Sequence, residues 1–118
     1  MTQLTVVFRQ VPHGNASGRE ALDLVLLSAS YEVDTAVCFI DEGVYQLVKG
    51  QSPKIIASKD HIATFGALPL YEVDKVFICE ESLQERGLSP DDLVIKAKTL
   101  PRVQIHRQIQ QSKQVLTF

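Results

Sequence analysis

Five short apolar runs constrain the fold of this chain more than anything else in it: Leu4 to Phe8, Thr35 to Ile40, Lys75 to Cys79, Leu93 to Ala97 and Gln114 to Phe118. The first three are near-continuous stretches of β-branched and aromatic residues, the pattern of strands buried on both faces of a parallel sheet. Helical segments separate them. Strand and helix in alternation predict an α/β fold in three layers, with a central five-stranded, mostly parallel sheet flanked by helices and joined by right-handed crossovers. With 118 residues there is enough chain for one such core and not for two, so a single domain over 1–118 is expected.

The first helix has a legible start. Ser17-Gly18-Arg19-Glu20 is a capping box, in which the Ser hydroxyl and the Glu carboxylate each satisfy a free backbone N–H. Leu22, Val25, Leu26 and Ala29 follow at helical spacing as an inward stripe. Leu24, Leu27 and Tyr31 make a second stripe on another flank. A helix apolar on two sides either sits deep in the core or meets another chain, and a domain this small favours the second.

The connection from 41 to 74 is the longest. Asp41 to Leu47 reads as a strand-end turn feeding a short helix, Lys49 to Pro53 as a break, and Lys59 to Leu68 as a second helix with Ile62, Phe65 and Leu68 inward. That is more chain than a crossover needs, and such insertions often carry a site or an interface. The last helix, from about Arg102 to Ser112, has only Ile105 and Ile109 as an inner stripe, and Pro101 suits its first turn.

Charge and composition exclude several functions. The formal charge is -2, and the 12 basic residues are scattered, so no surface for direct nucleic-acid binding is expected. No run approaches the ~18 apolar residues of a membrane span, and the chain opens on Leu4-Thr5-Val6-Val7-Phe8 with no signal-peptide pattern. The two cysteines do not make a disulfide framework. A cytoplasmic protein with reduced thiols is expected.

Cys79 is the one candidate for chemistry. It ends an apolar run and precedes Glu80-Glu81-Ser82-Leu83, so it falls at the carboxyl end of a buried strand turning into a helix. Open α/β folds place their chemistry there, and helix N-termini favour thiolate. Against a reactive thiol stand the two carboxylates that follow it; the nearest bases in sequence are Lys75, at the strand's other end, and Arg86, about 10 Å along the helix. The alternative is a small side chain packing a strand end. Cys38, between Val37 and Phe39, is a core residue. The turn from His13 to Gly18 sits where a phosphate loop would, but it lacks both the P-loop ending and the dinucleotide fingerprint. It reads as a tight turn. His61 and His106 have no metal-ligand spacing, and Asp91-Asp92 after Ser89-Pro90 read as a loop and cap.

The ordered landmarks Pro12-His13-Gly14, Gly18-Arg19-Glu20, Phe39-Ile40, Gly43-Val44, Gln46-Leu47, Gly50-Gln51, Ala63-Thr64-Phe65, Leu70-Tyr71 and Cys79 with Ser82-Leu83 and Arg86-Gly87-Leu88 resemble the DsrE/DsrF-like family, DsrF type, almost end to end. The resemblance implies a five-stranded parallel sheet and assembly with TusB-like and TusD-like paralogous subunits as a dimer of heterotrimers. It implies passage of persulfide sulfur towards 2-thiolation of the tRNA wobble uridine, with a TusE-like carrier downstream. The sulfur-carrying cysteine in that family belongs to the TusD-like subunit, where small apolar residues follow it. Cys79 matches its position, but Glu80-Glu81 follow instead. The expected role is therefore a non-catalytic subunit that builds the assembly, with Leu24, Leu27, Tyr31 and Tyr45 at subunit interfaces and no cofactor or metal. A persulfide carried on Cys79 itself is the competing expectation. A flavodoxin-like nucleotide or phosphate binder is the third.

Overall fold

A computed structural model describes residues 2–9, 17–47, 68, 73, 75–93, 95 and 97–118. Strands β1 (Leu4–Phe8), β2 (Thr35–Phe39), β3 (Lys75–Cys79), β4 (Lys98–Leu100) and β5 (Gln114–Thr117) form one sheet in the order β4-β3-β2-β1-β5, with every pairing parallel. The expected α/β architecture is present. The chain steps from β1 to β4 in one direction and must then cross back over the whole sheet to reach β5. With right-handed crossovers, that reversal moves the connecting helix to the opposite face.

The packing follows this rule. Helix α1 (Ser17–Ser30) buries Ala21, Leu22 and Val25 against Val6, Phe8, Val37 and Phe39. The short helix α2 (Glu80–Glu85) adds Leu83 to the same cluster. Helix α3 (Arg102–Gln110) lies on the other face, where Ile105 and Ile109 meet Val7, Cys38 and Cys79. Strands β1 and β2 are buried at every residue, which is why their sequences show no polar alternation. Phe8 and Phe39, partners in the β1–β2 register, stack with ring centroids 4.9 Å apart. Such a pair adds about 0.5–1.5 kcal/mol beyond its area.

The strand expected over Leu93 to Ala97 lies elsewhere. The sheet strand is Lys98–Leu100, paired as Phe77↔Lys98, Ile78↔Thr99 and Cys79↔Leu100. Pro90–Asp92 forms a single 3-10 turn, closed by the Ser89 N–H donating to the Asp92 carboxylate at 2.9 Å; Leu93, in an isolated β-bridge, packs against the core with Ile95 and Ala97, while residues 94 and 96 lie outside the described residues. Apolarity therefore marked an anchor segment, whereas the edge strand itself is only half-buried. Pro101, with no N–H to give, ends β4 and stands one residue before the first helical residue of α3. That helix closes at Gln110, two residues before the expected end. The helix expected over Lys59 to Leu68 lies outside the described residues apart from Leu68, which is buried. Most of the His13–Gly18 turn lies outside them too, and the helix start expected at Ser17 is where α1 begins.

A 3-10 helix, Asp41–Leu47, leaves β2 through a sharp turn in which Asp41 takes a left-handed φ of 51°. Its Val44 and Leu47 are fully buried. Gly43 makes the turn possible: a Cβ there would sit 1.8 Å from the carbonyl oxygen of Phe8, an oxygen that already accepts from the Ile40 N–H. Gly43→Ala should therefore lower stability by about 3 kcal/mol or more, because backbone must move. Gly87→Ala, at a φ of 67° but in open space, should cost only about 1–2 kcal/mol. Urea midpoints of the two variants, read by circular dichroism, check this; equal losses would contradict it.

Candidate functional site

Cys79 stands at the last residue of β3 and the N-cap of α2, with extended backbone and a fully buried side chain. Its sulfur lies within the cluster of Val7, Cys38, Ile40 and Ile105, under α3. The expected strand-to-helix junction is there. The thiol is sealed.

The carboxylates beside it are committed to structure. Glu81 turns towards α3 and accepts the Arg102 backbone N–H on both oxygens, at 2.9 and 3.1 Å. A helix N-terminus has free N–H groups and a positive dipole end, so an acidic side chain arriving from another helix caps it. Glu85, one turn further along α2, receives the Arg102 guanidinium at 2.6 Å. Glu80 is exposed. Arg102 is held above its ordinary, already high value, first by the hydrogen bond to Glu85 and next by its electrostatic interaction with Cys79. Thus a cation that acts on Cys79 comes from 23 residues downstream, and sequence reading missed it. The signal existed in the register: Cys79 pairs with Leu100, which places Arg102 just past the same strand end.

The other candidates separate. Lys75 is at the far end of β3, paired with Asp34 at 2.9 Å, as expected. Arg86 caps the end of α2 and donates to the Ser82 carbonyl. The Ser82 hydroxyl, fully buried, accepts the Asp41 N–H at 2.8 Å and so ties α2 to the turn after β2. Asp41 in turn pairs with Arg9 at the end of β1. Cys38 is buried in mid-strand, and burial pushes its thiol up from 9.0 to about 12. His106 is exposed on α3. Among the described residues, no group of His, Cys, Asp and Glu is placed to hold a metal ion, and no helix is long and apolar enough to cross a membrane.

Of the four residues expected at an interface, Leu27 and Tyr31 are 56% and 76% exposed on the outer flank of α1. Leu24, half-buried, lines a groove of about 600 Å³ beside Ser28, Val33 and Leu116. Tyr45 is half-buried in the 3-10 helix, away from that flank in sequence.

One family matches almost the whole chain: the model of the DsrE/DsrF-like family covers residues 2–118. The chain belongs to the DsrE/DsrF-like family. Among curated relatives, a protein described as "Protein TusC homolog" from Vibrio parahaemolyticus serotype O3:K6 is 46% identical over the whole of both chains, and one from Vibrio vulnificus strain CMCP6 is 40% identical over the same span. Among solved structures, the crystal structure of the ychN protein from E. coli superposes with a TM-score of 0.80 at 21% identity, covering both chains fully. A protein of unknown function from Methanobacterium thermoautotrophicum also covers both chains fully, with a TM-score of 0.58 at 13% identity. At those identities the two structures show the DsrE/DsrF-like fold alone.

Three measurements follow from the site. At pH 8 the folded chain should react with Ellman's reagent at both cysteines far more slowly than the urea-unfolded chain; rapid labelling of Cys79 would contradict its burial. Glu81→Ala should cost about 0.5–2 kcal/mol, the worth of a helix cap, with amide shifts concentrated at the start of α3. Because the Cys38 pKa is higher folded than unfolded, the unfolded chain loses that proton first. Its contribution to stability is then full below pH 9 and declines towards pH 12. Cys38→Val should flatten the fall in urea midpoint over that window, and an unchanged slope would count against it.

Proposed function

We propose that this chain is the assembly-building, non-catalytic subunit of a heteromeric sulfur-relay complex, with the sulfur-carrying cysteine on a paralogous partner. Membership of the DsrE/DsrF-like family and the likeness to TusC homologs support a sulfur-relay role. The observation that carries the assignment to a non-catalytic role is the buried state of Cys79, with Glu81 and Glu85 beside it bound up in holding α3. A persulfide carrier must meet its donor and its acceptor, which needs a thiol that another protein can reach. On this reading the single domain over 1–118 works in the cytoplasm with TusB-like and TusD-like subunits, as a dimer of heterotrimers. The complex hands persulfide sulfur through a TusE-like carrier towards 2-thiolation of the tRNA wobble uridine. The exposed Leu27 and Tyr31, next to the groove at Leu24, supply an interface; Tyr45 is a further contact.

One observation favours the second reading, in which Cys79 itself carries sulfur. Arg102 interacts electrostatically with Cys79 and would pair with a persulfide anion there, once α2 and α3 parted to admit a donor. The two readings separate in cells that lack the native chain. Cys79→Ser should leave both assembly and tRNA 2-thiolation nearly intact; thiolation lost with assembly preserved would establish the second reading. Leu27→Glu should weaken association with the partners about tenfold or more, because it puts a charge into an apolar contact, with little change in urea midpoint. Unaltered association would move the interface off this flank of α1.

A further inference from the structure

At the carboxyl ends of β1 and β5 the strand order reverses: β1 is followed by α1 on one face, whereas β5 is reached from α3 on the other. Open parallel sheets bind ligands in the crevice outside the strand ends at such a reversal. Here that place holds a groove of about 460 Å³, within the range of small-molecule sites. Its floor is apolar, with Val7 and Ile109 among its residues. Among the described residues, its rim carries Arg9, Arg102 and His106, with Asp41 as the one carboxylate.

We propose that this groove binds a small molecule bearing an anionic head group on a short apolar body. Among the described residues the rim has three basic side chains to one acid. Arg9 directs both its Nε and one Nη to the same oxygen of Asp41, so its remaining guanidinium N–H groups stay available to a second oxyanion. That ion pair is half-exposed, a class of pair that competing anions displace readily. Arg102 is fixed from behind, its backbone N–H on Glu81 and one Nη on Glu85, neither of which lines the groove. His106 follows one turn later on α3, on the same side as Arg102. A guanidinium from the sheet and one from the helix therefore meet over a hydrophobic floor. Polar recognition at one end and apolar burial at the other is the usual division of labour in a ligand pocket. The proposal is independent of sulfur chemistry at Cys79, which does not line the groove.

The test is an amide chemical-shift titration of the full 118-residue chain. Phenyl phosphate and benzoate present the two common oxyanion heads on an apolar ring, while inorganic phosphate has no ring and cyclohexanol no charge. The expected result is saturable shifts at Val7, His106, Ile109 and Thr117 with phenyl phosphate or benzoate, and weaker binding of the other two probes. Which of the two aromatic anions binds better assigns the head group as phosphoryl or carboxyl. Arg9→Gln, at an exposed side chain, should weaken binding about tenfold, and His106→Gln should also weaken it. No saturable shift with either aromatic anion would overturn the proposal. So would binding that cyclohexanol matches or that both substitutions leave unchanged.

Discussion

The contact on which the rest of this molecule depends is the carboxylate of Glu81 closing on the backbone N–H of Arg102. A parallel sheet must be covered on both faces, and among the described residues α3 is the helix that covers the Cys38 and Cys79 side. It reaches that face only after the long return from β4 to β5. Glu81 fixes where it starts. Once α3 starts there, Ile105 seals Cys79, Arg102 comes beside the sulfur, and His106 and Ile109 wall the groove over Val7.

That contact also changes the meaning of the acidic pair after Cys79. In sequence, Glu80-Glu81 reads as a field hostile to thiolate. In the fold, Glu81 faces a helix N-terminus and Glu85 faces a guanidinium, so two of the three nearby carboxylates have positive partners. Electrostatic hostility is therefore a weaker argument against sulfur chemistry than it is from the sequence. Burial becomes the stronger one. A thiol with no exposed surface cannot exchange sulfur with another protein unless helices move, whatever charges surround it.

Much of the fold was legible because strands buried on two faces leave an unmistakable apolar run. β1 and β3 have the expected bounds, and β2 and β5 end one residue short. β4 was not legible, for a physical reason: an edge strand of Lys98-Thr99-Leu100 is half-exposed and carries little apolar signal, while Leu93, buried in an isolated β-bridge, carries the stronger one. The misplaced strand also hid Arg102. With β4 at 93–97 nothing ties residue 102 to the end of β3; with Leu100 opposite Cys79 the link is direct. Leu27 and Tyr31 were readable as an outward stripe because they break the inward spacing of Leu22 and Val25. The groove was not, since it joins residues from β1, β5 and α3 that only the strand order brings together.

The central claim is that sulfur travels through the assembly without resting on this chain. Persulfide mapping by mass spectrometry tests it most directly: the co-expressed complex of this chain and its paralogues is loaded with a persulfide donor, alkylated under native conditions and digested. The account predicts persulfide on a partner's cysteine and unmodified Cys38 and Cys79 in this chain. A persulfide on Cys79 at a level comparable to the partner's would contradict it, and would make Arg102 the residue that holds the sulfur anion.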